Sequence, residues 1–147
     1  MHKLLAVVPL LGLIVGCAHE TRVYDIAVKN QTPHPITLVL EKEAGPREDA
    51  WITPEEVANG PARDNLVWGL GVVPAGKAAV AKRVKGEFDA GSRAWLRVYE
   101  GDLSVGDMLK IKAGSPARTD VPILPGKNDF LVRPHGDGIE VGPAPDK

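Results

Sequence analysis

The sequence predicts an all-β domain, a two-layer antiparallel β-sandwich with one short helix near residues 54–59. Three observations point there. Short apolar runs alternate at period two, the spacing of a half-buried strand. Sixteen glycines and 13 prolines are spread along the chain and cut those runs to strand length. Only one stretch carries the chemistry of a helix start.

The first strand is expected over 22–29, where Tyr24, Ile26 and Val28 share a face. Two prolines and an asparagine in 30–35 (NQTPHP) end it. A second strand over 35–42 follows, with Ile36, Leu38 and Leu40 inward, and the two pair most simply as a hairpin. Thr53 then offers a cap, Pro54 suits the first helical position, and Glu56 completes a Thr-x-x-Glu capping box. Gly60 and Pro61 stop that helix after one or two turns.

In 65–73, Leu66, Trp68, Leu70 and Val72 fall on one face and two glycines on the other. After the turn at 74–76, residues 77–88 return with Ala78, Val80, Val84 and Phe88 in phase, and Lys82 breaks the pattern. A snorkelling stem or a bulge would accommodate it. Strand 93–100 puts Ala94, Leu96 and Val98 inward and Trp95, Arg97 and Tyr99 on the opposite face. Beyond a loop at 101–107, Leu109 and Ile111 alternate with Lys110 and Lys112. Pro122 makes 119–124 an edge strand. Strand 127–133 follows with Phe130 and Val132 inward, then a short strand at 139–141 and a tail, 143–147, expected to be disordered. Eight or nine such strands suit an immunoglobulin-like or similar sandwich; a small β-barrel is the alternative.

The N-terminus has a different character. Residues 1–3 supply a positive start, residues 4–16 (LLAVVPLLGLIVG) are apolar throughout, and Cys17, the only cysteine in the chain, follows Gly16. The run is shorter than the ~20 residues of a membrane-spanning helix. With Leu13-Ile14-Val15-Gly16-Cys17 at its end, the segment resembles the signal peptide and lipobox of bacterial lipoproteins. The resemblance covers the leader alone. It implies cleavage after Gly16, a diacylglycerol on the Cys17 thiol, acylation of the new amino group and stable anchoring by two or three chains. Ala18, rather than Asp, after the cysteine implies sorting to the outer membrane where the cell has one, facing the periplasm or the surface. The organisation expected is therefore a signal peptide over 1–16, a lipidated cysteine and polar tether over 17–21, a β domain over 22–142, and the tail.

Removing residues 1–16 leaves 131 residues, enough for one domain. They carry 17 basic and 19 acidic groups, a balance that disfavours nucleic-acid binding. With Cys17 consumed there is no thiol for a disulfide, a nucleophile or a cysteine-based metal site.

Chemistry is hard to find in the domain. His19, His34 and His135 stand in the tether and in turns, outside H-E-x-x-H spacing, and there is no G-x-S-x-G elbow or Walker loop. Glu100, Asp102 and Asp107, and Asp129 with Asp137, lack the ligand density of a calcium loop. The better lead is the row Trp95, Arg97 and Tyr99. It offers either a flat platform with a cation for a sugar ring or a protein partner, or a packed face beneath a loop or the short helix. The function expected is a non-enzymatic protein-interaction or envelope-assembly module without cofactor or metal. The alternative is a module that binds peptidoglycan or polysaccharide through Trp95 and Tyr99.

Overall fold

A computed structural model describes residues 18–60 and 70–145. Strands β1 (His19–Asn30), β4 (Ala78–Asp89), β7 (Gly126–His135) and β8 (Gly138–Pro143) form one sheet in the order β4-β1-β7-β8. Strands β2 (Ile36–Lys42), β3 (Gly71–Val73), β5 (Ala94–Glu100) and β6 (Arg118–Ile123) form the other, in the order β3-β2-β5-β6. The two sheets are separate and enclose one core, so the domain is a sandwich and not a closed barrel. All pairings are antiparallel except that of β1 with β7.

Alternation fixes the inner faces. Tyr24, Ile26 and Val28 of β1 and Leu38, Leu40, Leu96 and Val98 of β2 and β5 are each at most 1% exposed. Each aliphatic so buried contributes about 1.5–3 kcal/mol. Tyr24, Trp51 and Phe88 meet at one end with ring centroids 5.2–5.7 Å apart, and the guanidinium of Arg22 lies 4.7 Å from the Phe88 centroid. Trp51 ends a 3-10 turn (Asp49–Trp51), and its indole N–H donates to Lys85 O at 2.8 Å, tying the β2–α1 connection to β4.

Helix α1 (Pro54–Asn59) forms where expected, with the capping box intact: Thr53 Oγ1 accepts from Glu56 N–H and Glu56 Oε2 from Thr53 N–H. β6 lies at a sheet edge, as Pro122 requires. The interruption at Lys82 is a bulge. Register shifts between Tyr24↔Val84 and Ile26↔Ala81, Arg83 takes a left-handed φ of 56°, and its N–H donates to Asp25 Oδ1 at 2.8 Å.

Other expectations are corrected. β1 and β2 do not pair as a hairpin; they belong to opposite sheets. Buried Asn30 sets the crossing, because its Nδ2 donates to His34 O, Val73 O and Pro74 O while its Oδ1 accepts from Thr32. The bulge inverts phase, so Val80 points outward at 62% exposure and Ala79 inward. In β3, Val73 rather than Val72 enters the core, because Gly71, at φ 66°, shifts the alternation after Leu70. Leu66 and Trp68 lie outside the described residues. Where a strand pattern ran through Leu109 and Ile111, the chain forms helix α2 (Val105–Lys110), capped by Ser104, whose Oγ accepts from Asp107 N–H. Residues 19–21, expected as tether, belong to β1. Pro143 closes β8 and Ala144 N–H donates to Asp129 O, so the tail is held through residue 144.

Candidate functional site

The outer face of the β3-β2-β5-β6 sheet is covered. Helices α1 and α2 pack against each other over it. A second small core forms beneath them from Val39, Tyr99 and Met108, with Leu103, Val105 and Ile111 around its rim. Thr37 locks the approach to α2, donating to Gly101 O and accepting from Leu103 N–H. The domain thus has three layers: two sheets and a short helical cap.

Of the row Trp95, Arg97 and Tyr99, the last two lie under this cap. Tyr99 is fully buried against Met108, Arg97 is 7% exposed, and only Trp95 reaches solvent, with the Arg93 guanidinium 5.4 Å from its ring centroid. Among the described residues this face presents no exposed aromatic platform. Of the two arrangements the sequence allows for this row, Arg97 and Tyr99 take the packed one, and the cover over Tyr99 comes from α2 rather than from the helix at 54–59.

Arg97 is the electrostatic centre of the layer. Its Nε donates to Glu41 on β2, and its Nη1 donates to both oxygens of Glu55 on α1. Burial opposes its charge, but the two carboxylates outweigh that cost and raise its pKa above the ordinary guanidinium value. Burial also opposes ionisation of Glu55. Its hydrogen bond at the helix start and the Arg97 charge prevail, holding its pKa below 4.5. Burial raises the pKa of the Tyr99 hydroxyl, with Arg97 and Arg118 acting the other way. Arg118 itself is paired with Asp120 through two hydrogen bonds. The layer is a structural ion-pair network with its charges spent on one another.

The remaining candidates stay apart. His19 Nδ1 lies 2.8 Å from Asp89 Oδ1, His135 Nδ1 lies 4.0 Å from Glu140, and His34 sits in the β1–β2 loop. Asp107 is engaged by Ser104 and Lys110, and Asp129 by Lys127. Among the described residues no three His, Cys, Asp or Glu side chains are grouped to hold a metal ion.

The opposite outer face, on the β4-β1-β7-β8 sheet, has no helix packed on it among the described residues. Val23 and Val80 are exposed there. Small side chains at Ala27 and Ala78, between Lys29, Lys127 and Asp129, leave an open recess of about 650 Å³. Sequence reasoning missed this face because the inward assignment of Val80 depends on uninterrupted alternation. The Lys82–Arg83 bulge was the available signal.

Cys17 lies outside the described residues. Ala18 is exposed, and His19 already pairs with Asp89 in the β1–β4 ladder. No helix among the described residues is long and apolar enough to cross a membrane. Comparison of the chain with protein-family models, with curated proteins and with solved structures finds no match in any of the three.

Proposed function

We propose that the protein is a lipid-anchored module of the cell envelope, in the outer membrane where the cell has one, that engages a protein partner and carries out no reaction itself. The observation that supports this most directly is the apolar leader ending in Leu13-Ile14-Val15-Gly16-Cys17, two residues before the folded domain begins. Acyl chains on Cys17 would hold the sandwich at a bilayer surface. The uncapped sheet face, with Val23 and Val80 exposed and an open recess at Ala27 and Ala78, is the surface left for a partner. Glycan binding has less support, since Tyr99 is buried and Trp95 alone offers no stacking pair.

The test is expression of the full-length chain and of Cys17→Ser in a bacterial host, followed by membrane fractionation and mass spectrometry of the N-terminal peptide. A diacylglyceryl adduct on Cys17 and membrane recovery lost in Cys17→Ser are expected. An unmodified thiol, or an uncut leader, would refute the anchor. Cross-linking from Val80 in the lipidated protein then tests the partner: adducts to protein support the module, and adducts to wall glycan alone replace it with the glycan reading.

A further inference from the structure

We infer that the domain stands directly on the bilayer on one defined end, the β4–β5 turn around Asp89–Arg93, with its strands rising away from the membrane. This rests on the lipid-anchor proposal and adds an orientation to it. Ala18 alone separates Cys17 from His19, so the two flanking α-carbons are at most ~7 Å apart. His19 is no longer tether: it pairs with Asp89, and the register runs without interruption to Tyr24↔Val84.

Side chains reinforce that attachment. His19 meets Asp89, Thr21 Oγ1 donates to Glu87 Oε1, and Arg22 donates to the Ser92 carbonyl in the turn itself. With its chains in the bilayer, Cys17 would draw the Ala90-Gly91-Ser92 turn to the headgroups. The end has no charge excess that would select anionic lipid. Arg22 pairs with Glu20 and Arg93 with Glu43, and Asp89 adds a further carboxylate. The tether, not electrostatic attraction, sets the contact.

The opposite end follows from strand length. β1 spans 12 residues, which at about 3.3 Å each places its far end roughly 40 Å from the headgroups. There the Pro74–Lys77 and His135–Gly138 turns would point away from the membrane, and the uncapped sheet face would stand upright between the two ends. One competing geometry is physically open. On its other flank β1 is bonded to β7 only from Tyr24 onward, so residues 19–23 are held on one side, and peeling them from β4 would lengthen the tether.

The experiment uses the full-length lipidated protein in phosphatidylethanolamine/phosphatidylglycerol vesicles, with a fluorophore on Ala90→Cys or, at the far end, on Ala75→Cys. Both positions are exposed. Spin-labelled lipid headgroups should quench the Ala90→Cys label strongly and leave the Ala75→Cys label nearly unchanged. Inserting a twelve-residue Gly-Ser segment between Ala18 and His19, with a reach of about 20 Å, should remove most of the quenching at Ala90→Cys. Equal quenching of both labels, or quenching that survives the insertion, would overturn the orientation while leaving the anchor intact. Mass spectrometry of the same samples separates the two claims, since an unmodified Cys17 refutes the anchor and the orientation together.

Discussion

Arg97 Nη1 meets both carboxylate oxygens of Glu55, at 3.0 and 2.9 Å, and so joins the first turn of α1 to the middle of β5. The same guanidinium holds Glu41 on β2 through Nε. Three elements distant in sequence share one cation that is 7% exposed. Arg97→Ala leaves Glu41 and Glu55 without their shared cation and should destabilise the domain by about 2–3 kcal/mol, discounted from a fully buried pair because both acids retain some water. Arg97→Lys keeps the charge but loses the fork, and should fall between. Urea unfolding checks the order. A loss below about 0.5 kcal/mol in Arg97→Ala, the range of an ordinary surface substitution, would contradict it.

Glu55 gives the same contact a pH dependence. Its folded pKa lies below 4.5, because its hydrogen bond at the helix start and Arg97 overcome the cost of burial. In the unfolded chain it therefore takes up a proton at higher pH than in the folded one, and stability falls as pH drops. The contribution is complete above 4.5 and disappears as pH passes below the folded value. The melting temperatures of the wild type and Glu55→Gln should differ at pH 7 and converge toward pH 3. A gap that is constant or widens in acid would show that the Arg97 contact does not depend on the charge of Glu55.

At the alkaline end the sign reverses. The chain has two tyrosines, and the hydroxyls of Tyr24 and Tyr99 are both buried without a hydrogen bond among the described residues. Burial raises both pKa values above 10.0, against the lowering effect of Arg22 on one and Arg97 on the other. Each phenol keeps its proton in the folded state where the unfolded chain has lost it, so stability declines as pH rises past 10.0. Tyrosinate absorbance at 295 nm should be absent while circular dichroism is native, then appear together with unfolding. A separate ionisation in the folded protein would show that one ring reaches water.

What could be read from the sequence was local. The inward row Ala94, Leu96 and Val98 and the capping box from Thr53 to Glu56 needed only neighbours a few residues away, and both are present in the structure. What escaped depended on distant chain. Nothing near Ile26 specifies a parallel partner at Asn128, and nothing near Asn30 shows that its side chain will bond to Val73 and Pro74 rather than turn a hairpin. α2 was ambiguous for a different reason. Six residues give too few turns for a helical period to stand out from alternation, and the cap at Ser104 was its one local mark. Without α2, an open and a packed face for Tyr99 read alike in the sequence.

Gly138 is another position that the sequence marks only as a turn. A Cβ there would sit 1.9 Å from Pro116 O and 2.3 Å from its carbonyl carbon. The close approach serves a seam between edges, where Ile139 N–H donates to Pro116 O at 3.0 Å and Thr119 Oγ1 to Ile139 O at 3.2 Å, holding β8 against β6. Neither backbone can yield without breaking those bonds, so Gly138→Ala should cost about 3 kcal/mol. Gly76 is the contrast. It needs a left-handed φ of 71°, yet nothing lies within 4 Å of its added Cβ, so Gly76→Ala should cost only the conformational penalty of about 1 kcal/mol. Denaturant midpoints of the two variants decide the matter. If Gly138→Ala were the milder change, the two sheets would not be closed at this corner, and an edge of each would be free to take up a partner strand.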